Sequence, residues 1–285
     1  MHTIPDIKKI NNAKQQRATV LVLVVLYKCE ISESETIQTL LKQGNTHTSD
    51  FKLIIWDNSP VSASIAQQSA MKAKIDFEYI SCQENMALSR VYNKVVDTYN
   101  FDYILLLDQD TGLPDGYFNE IASHIQLYPK TRLFLPIVKN GDLIVSPGNF
   151  HYFKGKHWSA PRIGVIKSKN ILAVTSGMLI SQTYFEQHTT RFDERLSLYG
   201  IDSKFMLDYA NHEGAIHVLP VTFKHNSALW SKPTADVLLP RFVNLKQAWT
   251  IILSDRPLAS LLYSLYSKYL SIKLALRYSD KRFLH

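Results

Sequence analysis

Residues 18–28, ATVLVLVVLYK, form an almost unbroken apolar run rich in β-branched side chains. Crossing a bilayer takes about 20 apolar residues, so the run is too short to span one. Its valines are stiff at χ1 and favour extended backbone over helix. A strand that is apolar at every position, not at every second one, has to be buried on both faces. That is the situation of a strand inside a parallel sheet with helices packed on each side.

The following residues repeat the theme. SESETIQTLLKQ (32–43) has Ser32 three residues before Glu35, the spacing of a capping box, and then a helical pattern. FKLIIWDNSP (51–60) reads as a strand ending at polar residues and Pro60, and SASIAQQSAMKAK (62–74) as a helix. DFEYISC (76–82) is a strand, MALSRVYNKVVDTY (86–99) a helix and FDYILLLDQD (101–110) the next strand. Strand and helix alternating at this spacing predict βαβ units and a mostly parallel α/β sheet.

Past a helix near 116–127 the pattern changes. Residues 132–170 are rich in Gly, Pro and aromatics and read as short strands and loops. ILAVTSGMLIS (171–181) reads as a strand interrupted at Thr175-Ser176-Gly177. SKFMLDYANHEG (203–214) reads as a helix closed by Gly214, and AIHVLPVTFKHN (215–226) as an extended segment. Two helices are expected over 240–253 and 257–278. The domain plan is a polar N-terminal segment (1–17), a catalytic domain (18–230) with a nucleotide half (18–115) and an acceptor half (116–230), and C-terminal helices (231–285).

Charge and cysteine content narrow the setting. The net charge is +7, and residues 241–285 carry eight Lys/Arg against two Asp, so almost all of the excess lies in the last 45 residues. A basic tail on a near-neutral body points to a local anionic partner and away from general nucleic-acid binding. Two cysteines, Cys29 and Cys82, are too few for a disulfide framework, which fits a reducing cytoplasm. The first residues lack the apolar core of a signal peptide, and no stretch reaches the length of a transmembrane helix.

In an open parallel sheet, ligands bind outside the carboxyl ends of the strands. Two apolar strands run into acid at that edge: Ile54-Ile55-Trp56 into Asp57, and Leu105-Leu106-Leu107 into Asp108 and Asp110. Carboxylates at i and i+2 converge on one hard cation when the backbone turns after them, and Thr111-Gly112-Leu113-Pro114 supplies a turn. Oxygen ligands favour Mg²⁺ or Mn²⁺. The plainer reading of each acid is a turn former.

Taken together, VLVVLYK, LIIWDNSP, CQENMALSRVYNKVV, YILLLDQDT, VTSGMLIS, FDERLSLYGIDSKF and HVLPVTFKHN resemble the family 2 glycosyltransferases of the GT-A fold, over about 18–230. The likeness is nearest to the bacterial rhamnosyltransferase-like branch of O-antigen and capsule synthesis. It implies donor-binding roles for Leu26 and Tyr27 at the base pocket, for Asp57 on the nucleobase, and for Asn85 and Arg90 beside the donor phosphates. It implies that Asp108, Gln109 and Asp110 meet the donor, with Asp108, Asp110 and His225 holding the metal. Thr175, Ser176 and Gly177 would border the donor sugar and acceptor, and Asp202 would be the catalytic base. The implied donor is a UDP- or dTDP-linked sugar, the cofactor Mg or Mn, and the acceptor a lipid-linked oligosaccharide reached from the inner face of the cell membrane.

Three positions depart from the family pattern. Met86-Ala87 stands where a glycine usually follows the donor-loop Asn, Lys204 stands where a second acid is common, and Tyr199 stands where an upstream acid is common. Other classes fit less well, since no G-x-G-x-x-G follows the first strand and no G-x-x-x-x-G-K-[ST] occurs. Two rivals remain: a non-catalytic membrane-surface or polyanion-binding protein, and a transferase that binds donor without turnover.

In the tail, Ser260, Ser264, Ser267, Lys268 and Ser271 fall at helical spacing as a polar stripe on a helix rich in Leu and Tyr. Such a helix either lies in the lipid headgroup plane or packs on the catalytic domain with its stripe outward.

Overall fold

The structure, a computed structural model, describes residues 18–43, 51–225 and 234–284, with the side chain of His225 outside that set. The polar segment 1–17 also lies outside it. The chain begins β1 (Val20–Leu26), α1 (Glu35–Lys42), β2 (Phe51–Asp57), α2 (Ile65–Lys72), β3 (Glu78–Ser81), α3 (Leu88–Thr98) and β4 (Tyr103–Asp108). It continues through β5 (Thr111–Gly112), α4 (Tyr117–Leu127), β6 (Leu133–Asn140), β7 (Leu143–Ser146), β8 (Gly148–His151), β9 (Lys154–His157), β10 (Gly164–Lys167), β11 (Ile171–Leu172) and β12 (Leu179–Ser181). Then come α5 (Gln182–His188), α6 (Ile201–His212), β13 (Ala215–His225), α7 (Ala235–Ile252), α8 (Pro257–Tyr278) and a 3-10 turn at Lys281–Leu284.

The main sheet runs β10-β13-β6-β12-β4-β1-β2-β3, with β5 paired to β13 and β7 to β6. Strands β1, β2, β3 and β4 are parallel neighbours, β6 and β13 are parallel to each other, and β12 and β10 run antiparallel. The expected α/β architecture is therefore present. Every residue of β1 is buried, as a strand covered on both sides requires. Its side chains divide between two cores. Leu21, Leu23 and Val25 join α3, α5, α6 and α7 on one face, and Val20, Val22, Val24 and Leu26 join α1, α2 and α4 on the other.

Register fixes where the acids emerge. Leu26 pairs with Asp57 and Val25 with Asp108, so β1, β2 and β4 end within one residue of each other. Side chains alternate along β4, which puts Asp108 on the α3 and α6 side and turns Asp57 toward the other face.

Several local expectations shift. The cap of α1 is Ser34, which accepts the Ile37 N–H, and not Ser32; the capping box instead belongs to α2, through Ser64 and Gln67. Helix α6 begins two residues earlier than expected and ends at Glu213 in extended backbone, so Gly214 is not a left-handed cap. Residues 171–181 are not one strand. β11 joins a small sheet with β8 and β9 while β12 lies between β4 and β6, because Gly177 turns the chain at φ +93°. Helix α5 was not anticipated, and α7 starts at Ala235, five residues ahead of its expected bound.

The C-terminal helices pack on the α3–α6 face. Ala248, Ile252, Leu253 and Ala259 belong to that core, and Trp249 stacks on Phe150 with centroids 5.9 Å apart. Helix α8 leans on the β8–β9 hairpin through Phe153, whose ring lies 5.8 Å from Tyr263 and 5.3 Å from Tyr266.

Candidate active site

The D-Q-D turn is braced from three directions. Thr36 of α1 donates its hydroxyl to the Asp108 carbonyl and accepts the Thr111 N–H at 2.9 Å. Ser34 donates to the Gln109 carbonyl at 2.8 Å. Ser176 accepts the Asp108 N–H at 3.0 Å and shares a hydrogen bond with Thr111 Oγ1 at 2.5 Å. The Gly177 N–H meets the Leu106 carbonyl at 2.7 Å. A Cβ at Gly177 would stand 2.5 Å from Pro136 Cγ and 2.7 Å from Phe223, so the turn admits no side chain there. The T-S-G segment and the acidic turn thus form one hydrogen-bonded unit.

Behind this unit lies Tyr92, a buried residue of α3. Burial drives its pKa up, the Asp108 and Asp202 carboxylates push it further, and a hydrogen bond to Thr175 opposes them. The phenol thus feels the charge at the end of β4 and, more weakly, that at the start of α6. Asp202 lies in the first turn of α6, one position past the first helical residue, and its Oδ1 accepts the Ser203 N–H at 2.6 Å. Burial raises its pKa above the ordinary carboxylate range, against those local hydrogen bonds. A carboxyl held up by burial at a strand-edge site suits proton transfer.

The β1 exit forms the other wall. Tyr27 is exposed and donates its N–H to Gln109 Oε1 at 2.8 Å. Gln109 therefore braces the β1 exit through its side-chain oxygen. Leu26 has a wholly buried side chain, and its carbonyl accepts the Asn58 N–H at 2.8 Å. Asp57 is also buried. Its Oδ1 takes the Ser59 N–H at 3.0 Å, and its Oδ2 takes the Ala63 N–H at 3.2 Å and the Tyr79 hydroxyl. Burial, then the bond to Asp57, pushes Tyr79 up to about 12. Asp57 thus organises the 57–63 turn at the wall of the site.

Asn58, which the sequence did not single out, holds the donor loop. Its Nδ2 donates to the Met86 carbonyl at 2.7 Å and to Asn85 Oδ1 at 3.2 Å, and its Oδ1 accepts the Met86 N–H at 3.0 Å. Asn85 itself is at φ +48°, a conformation asparagine tolerates better than most residues. Ser59, Thr36, Tyr92 and Asn93 were likewise missed. They are ordinary helix or turn residues in sequence, and only their long-range partners mark them. Arg90 is exposed on α3 and pairs with Glu194 at 3.4 Å. Lys204 is buried and holds Asp208 at 2.6 and 2.7 Å.

For a divalent cation, the donor set is suggestive. The Cys29 thiol is raised by burial and then by Glu33, Asp110, Asp57 and Glu30, so the β1 exit carries negative potential. Among the described residues no group of three metal-ligating side chains gathers. β13 pairs His225 with Thr111, while the side chain of His225 lies outside the described residues. Two carboxylates suffice for an ion that takes its remaining ligands from phosphate oxygens and water, so Asp108 and Asp110 fit such a cation. A cavity of about 570 Å³ lies elsewhere, lined by Leu40, Phe51, Phe77 and Phe118, and none of the residues just described borders it.

Comparison with known proteins follows the same line. No curated protein sequence matches the chain. A crystal structure of S. aureus TarS superposes with a TM-score of 0.53 at 11% identity, over 82% of this chain and 40% of that one. S. aureus TarS 1-349 in complex with UDP-GlcNAc superposes at 0.55 and 13% identity, over 81% and 66%. This chain spans less than two thirds of both, and at such identity the likeness is one of fold. The family model for Glycosyl transferase family 2 matches residues 22–188, more than half of the 285 residues, and the chain belongs to that family.

Proposed function

We propose that the protein is an inverting glycosyltransferase that moves a sugar from a nucleotide diphosphate to a hydroxyl of a lipid-linked saccharide in surface polysaccharide synthesis. The observation that carries the reading is the hydrogen-bonded unit of the acidic turn and the 175–177 turn at the carboxyl edge of the sheet. Family membership and the fold shared with a protein solved with UDP and UDP-GlcNAc support a nucleotide-sugar donor. The rhamnosyltransferase-like branch, the O-antigen or capsule role and a peripheral position on the inner face of the membrane belong to the same proposal. So does the division into a nucleotide half, 18–115, an acceptor half, 116–230, and C-terminal helices.

In this reading the base lies against the β1 exit, between Tyr27, Asp57 and the loop that Asn58 ties at Asn85. Asp202 takes the proton of the acceptor hydroxyl as its oxygen bonds to the anomeric carbon and the bond from that carbon to the diphosphate oxygen breaks. Such a positioned base contributes on the order of 10²–10⁴ in rate. Asp108 and Asp110 would hold a Mg or Mn ion, with His225 as a further ligand, and the ion would neutralise the departing diphosphate. Ser176 keeps Asp108 in register with Thr111. Thermal shift against UDP- and dTDP-sugars with Mn²⁺ tests the donor, since a ligand at 100 times its dissociation constant adds about 2.7 kcal/mol. No shift with any sugar nucleotide would end the proposal.

A second reading rests on Lys204, whose ammonium lies buried against Asp208 where relatives often carry an acid. A protein that binds donor and does not transfer it would show the thermal shift with no product in any acceptor assay.

A further inference from the structure

Helix α8 turns its apolar side outward. Leu258, Leu261, Leu265, Tyr269, Ile272 and Leu276 recur at spacings of three, four and seven, and each is 53–76% exposed. At 3.6 residues per turn they occupy one face of a helix about 33 Å long. The buried side carries Ala259, Ser267 and Ser271, so two serines of the stripe expected to face water face protein, while Ser264 and Lys268 stay exposed. A helix of a water-soluble surface buries its apolar stripe, and a contiguous exposed strip of this length marks an interaction surface.

The charges say which partner. Lys268 borders the strip on one side and Lys273 on the other, and Arg277 follows one turn later. Lys154 of the β8–β9 hairpin stands over the Tyr266 ring at 4.2 Å, and exposed Tyr152 forms the hairpin tip beside it. Helix α8 contains no acidic residue. A two-fold copy would therefore set one basic flank against another, whereas anionic headgroups neutralise both flanks while the strip enters the acyl boundary. No described helix is long and apolar enough to cross a bilayer. We propose that α8 docks lengthwise in the headgroup layer of an anionic membrane through its Leu258–Leu276 face.

Helix α7 packs on both the docking helix and the start of α6. Gly200 sits at φ +80°, and a Cβ there would lie 2.7 Å from Ile252 Cδ1 and 3.2 Å from Ala248 Cβ of α7. Helix α7, the neighbour of the docking helix, thus abuts the turn leading into Asp202. Under the transferase reading, on which this consequence rests, the acceptor side of the site is supported next to the surface that holds a lipid-linked substrate.

Flotation of the full chain with vesicles of phosphatidylcholine, alone or doped with phosphatidylglycerol, tests the docking. The expected result is binding to the anionic vesicles that fades with salt. The double variant Leu265→Glu, Ile272→Glu should lose it by about tenfold or more, and Lys268→Glu, Lys273→Glu should lose the preference for anionic lipid. No flotation of the unmodified chain at low salt overturns the proposal, and so does flotation unchanged in both variants. A concentration-dependent dimer that Leu265→Glu disperses, without vesicle binding, assigns the face to a second copy and overturns it too. If a variant fails to fold by circular dichroism, the unmodified chain on the two vesicle types still decides. Thermal shift with UDP-sugars is run in parallel. Vesicle binding without a nucleotide-sugar shift leaves the docking standing and removes the transferase reading, and the reverse result removes the docking alone.

Discussion

The Ser176 hydroxyl accepts the backbone N–H of Asp108 at 3.0 Å, across 68 positions of sequence. That bond, with the 2.5 Å contact to Thr111 Oγ1, makes the acidic turn and the T-S-G turn a single body. Ser176→Ala leaves a buried amide and a buried hydroxyl without their partner, which costs about 1–3 kcal/mol for an unsatisfied group. We expect a lower melting temperature and a loss of sugar-nucleotide affinity that exceeds the loss seen in a surface Ser→Ala control. Equal effects in the two variants would deny the bond a part in the site.

Gly177→Ala tests the same body sterically. Its φ of +93° and the 2.5 Å approach to Pro136 leave a methyl group no room. Strain in this region costs about 1–3 kcal/mol before any clash is counted. Chemical denaturation should show a stability loss at or above that range, and an unchanged midpoint would contradict the close packing of β12 on β6.

Asp202→Asn separates chemistry from stability. Burial raises the folded pKa of Asp202, so the folded chain binds that proton more readily than the unfolded one, and stability falls as pH rises through the window between the two values. The asparagine carries no such penalty. The variant should melt above the parent at neutral pH, with the advantage shrinking as pH drops toward the ordinary carboxylate range. Transfer should disappear while donor affinity holds. A collapse of donor affinity would move Asp202 into the donor site.

Asp110→Ala should abolish Mn²⁺-dependent donor binding and leave the far-ultraviolet spectrum intact. Isothermal titration with and without the metal reads this directly. Full activity of the purified variant would contradict the cation assignment.

His217 gives an acid limb to stability. Both ring nitrogens are buried with no hydrogen-bond partner among the described residues, and burial, then His124, lowers its pKa from 6.5 to about 4. Between those values the unfolded chain binds the extra proton, so stability declines as pH falls through that window. His217→Phe, placed among Tyr128, His124 and Phe134, should flatten this limb in melting curves taken from pH 7 to pH 4. A parallel decline in the variant would assign the limb to other groups.

Much of the first half was legible because its signals are local. The unbroken apolar runs at 20–26 and 103–107 report a strand covered on both sides whatever follows them. Acids immediately after such runs fall at the carboxyl edge by necessity of the parallel arrangement. The brace around them was not legible, because Thr36, Asn58 and Ser176 act through partners 28 to 75 residues away. A hydroxyl or amide has no periodicity to announce such a partner. The places of Leu26 in the core and of the Gln109 side-chain oxygen on the Tyr27 N–H were not legible for the same reason.

Helix α8 marks the boundary most plainly. Its composition alone determined a helix with a serine side, a leucine side and a basic end, since those follow from residue type and a period of 3.6. Which side met the protein was decided by the tertiary structure. Phe150, Phe153 and Trp249 form an aromatic bed to which Tyr263 and Tyr266 are matched, and that pairing turns Ser267 and Ser271 inward and leaves the leucines facing out. Periodicity specifies that a helix has two faces, and only the shape and chemistry of the surface it lands on selects between them.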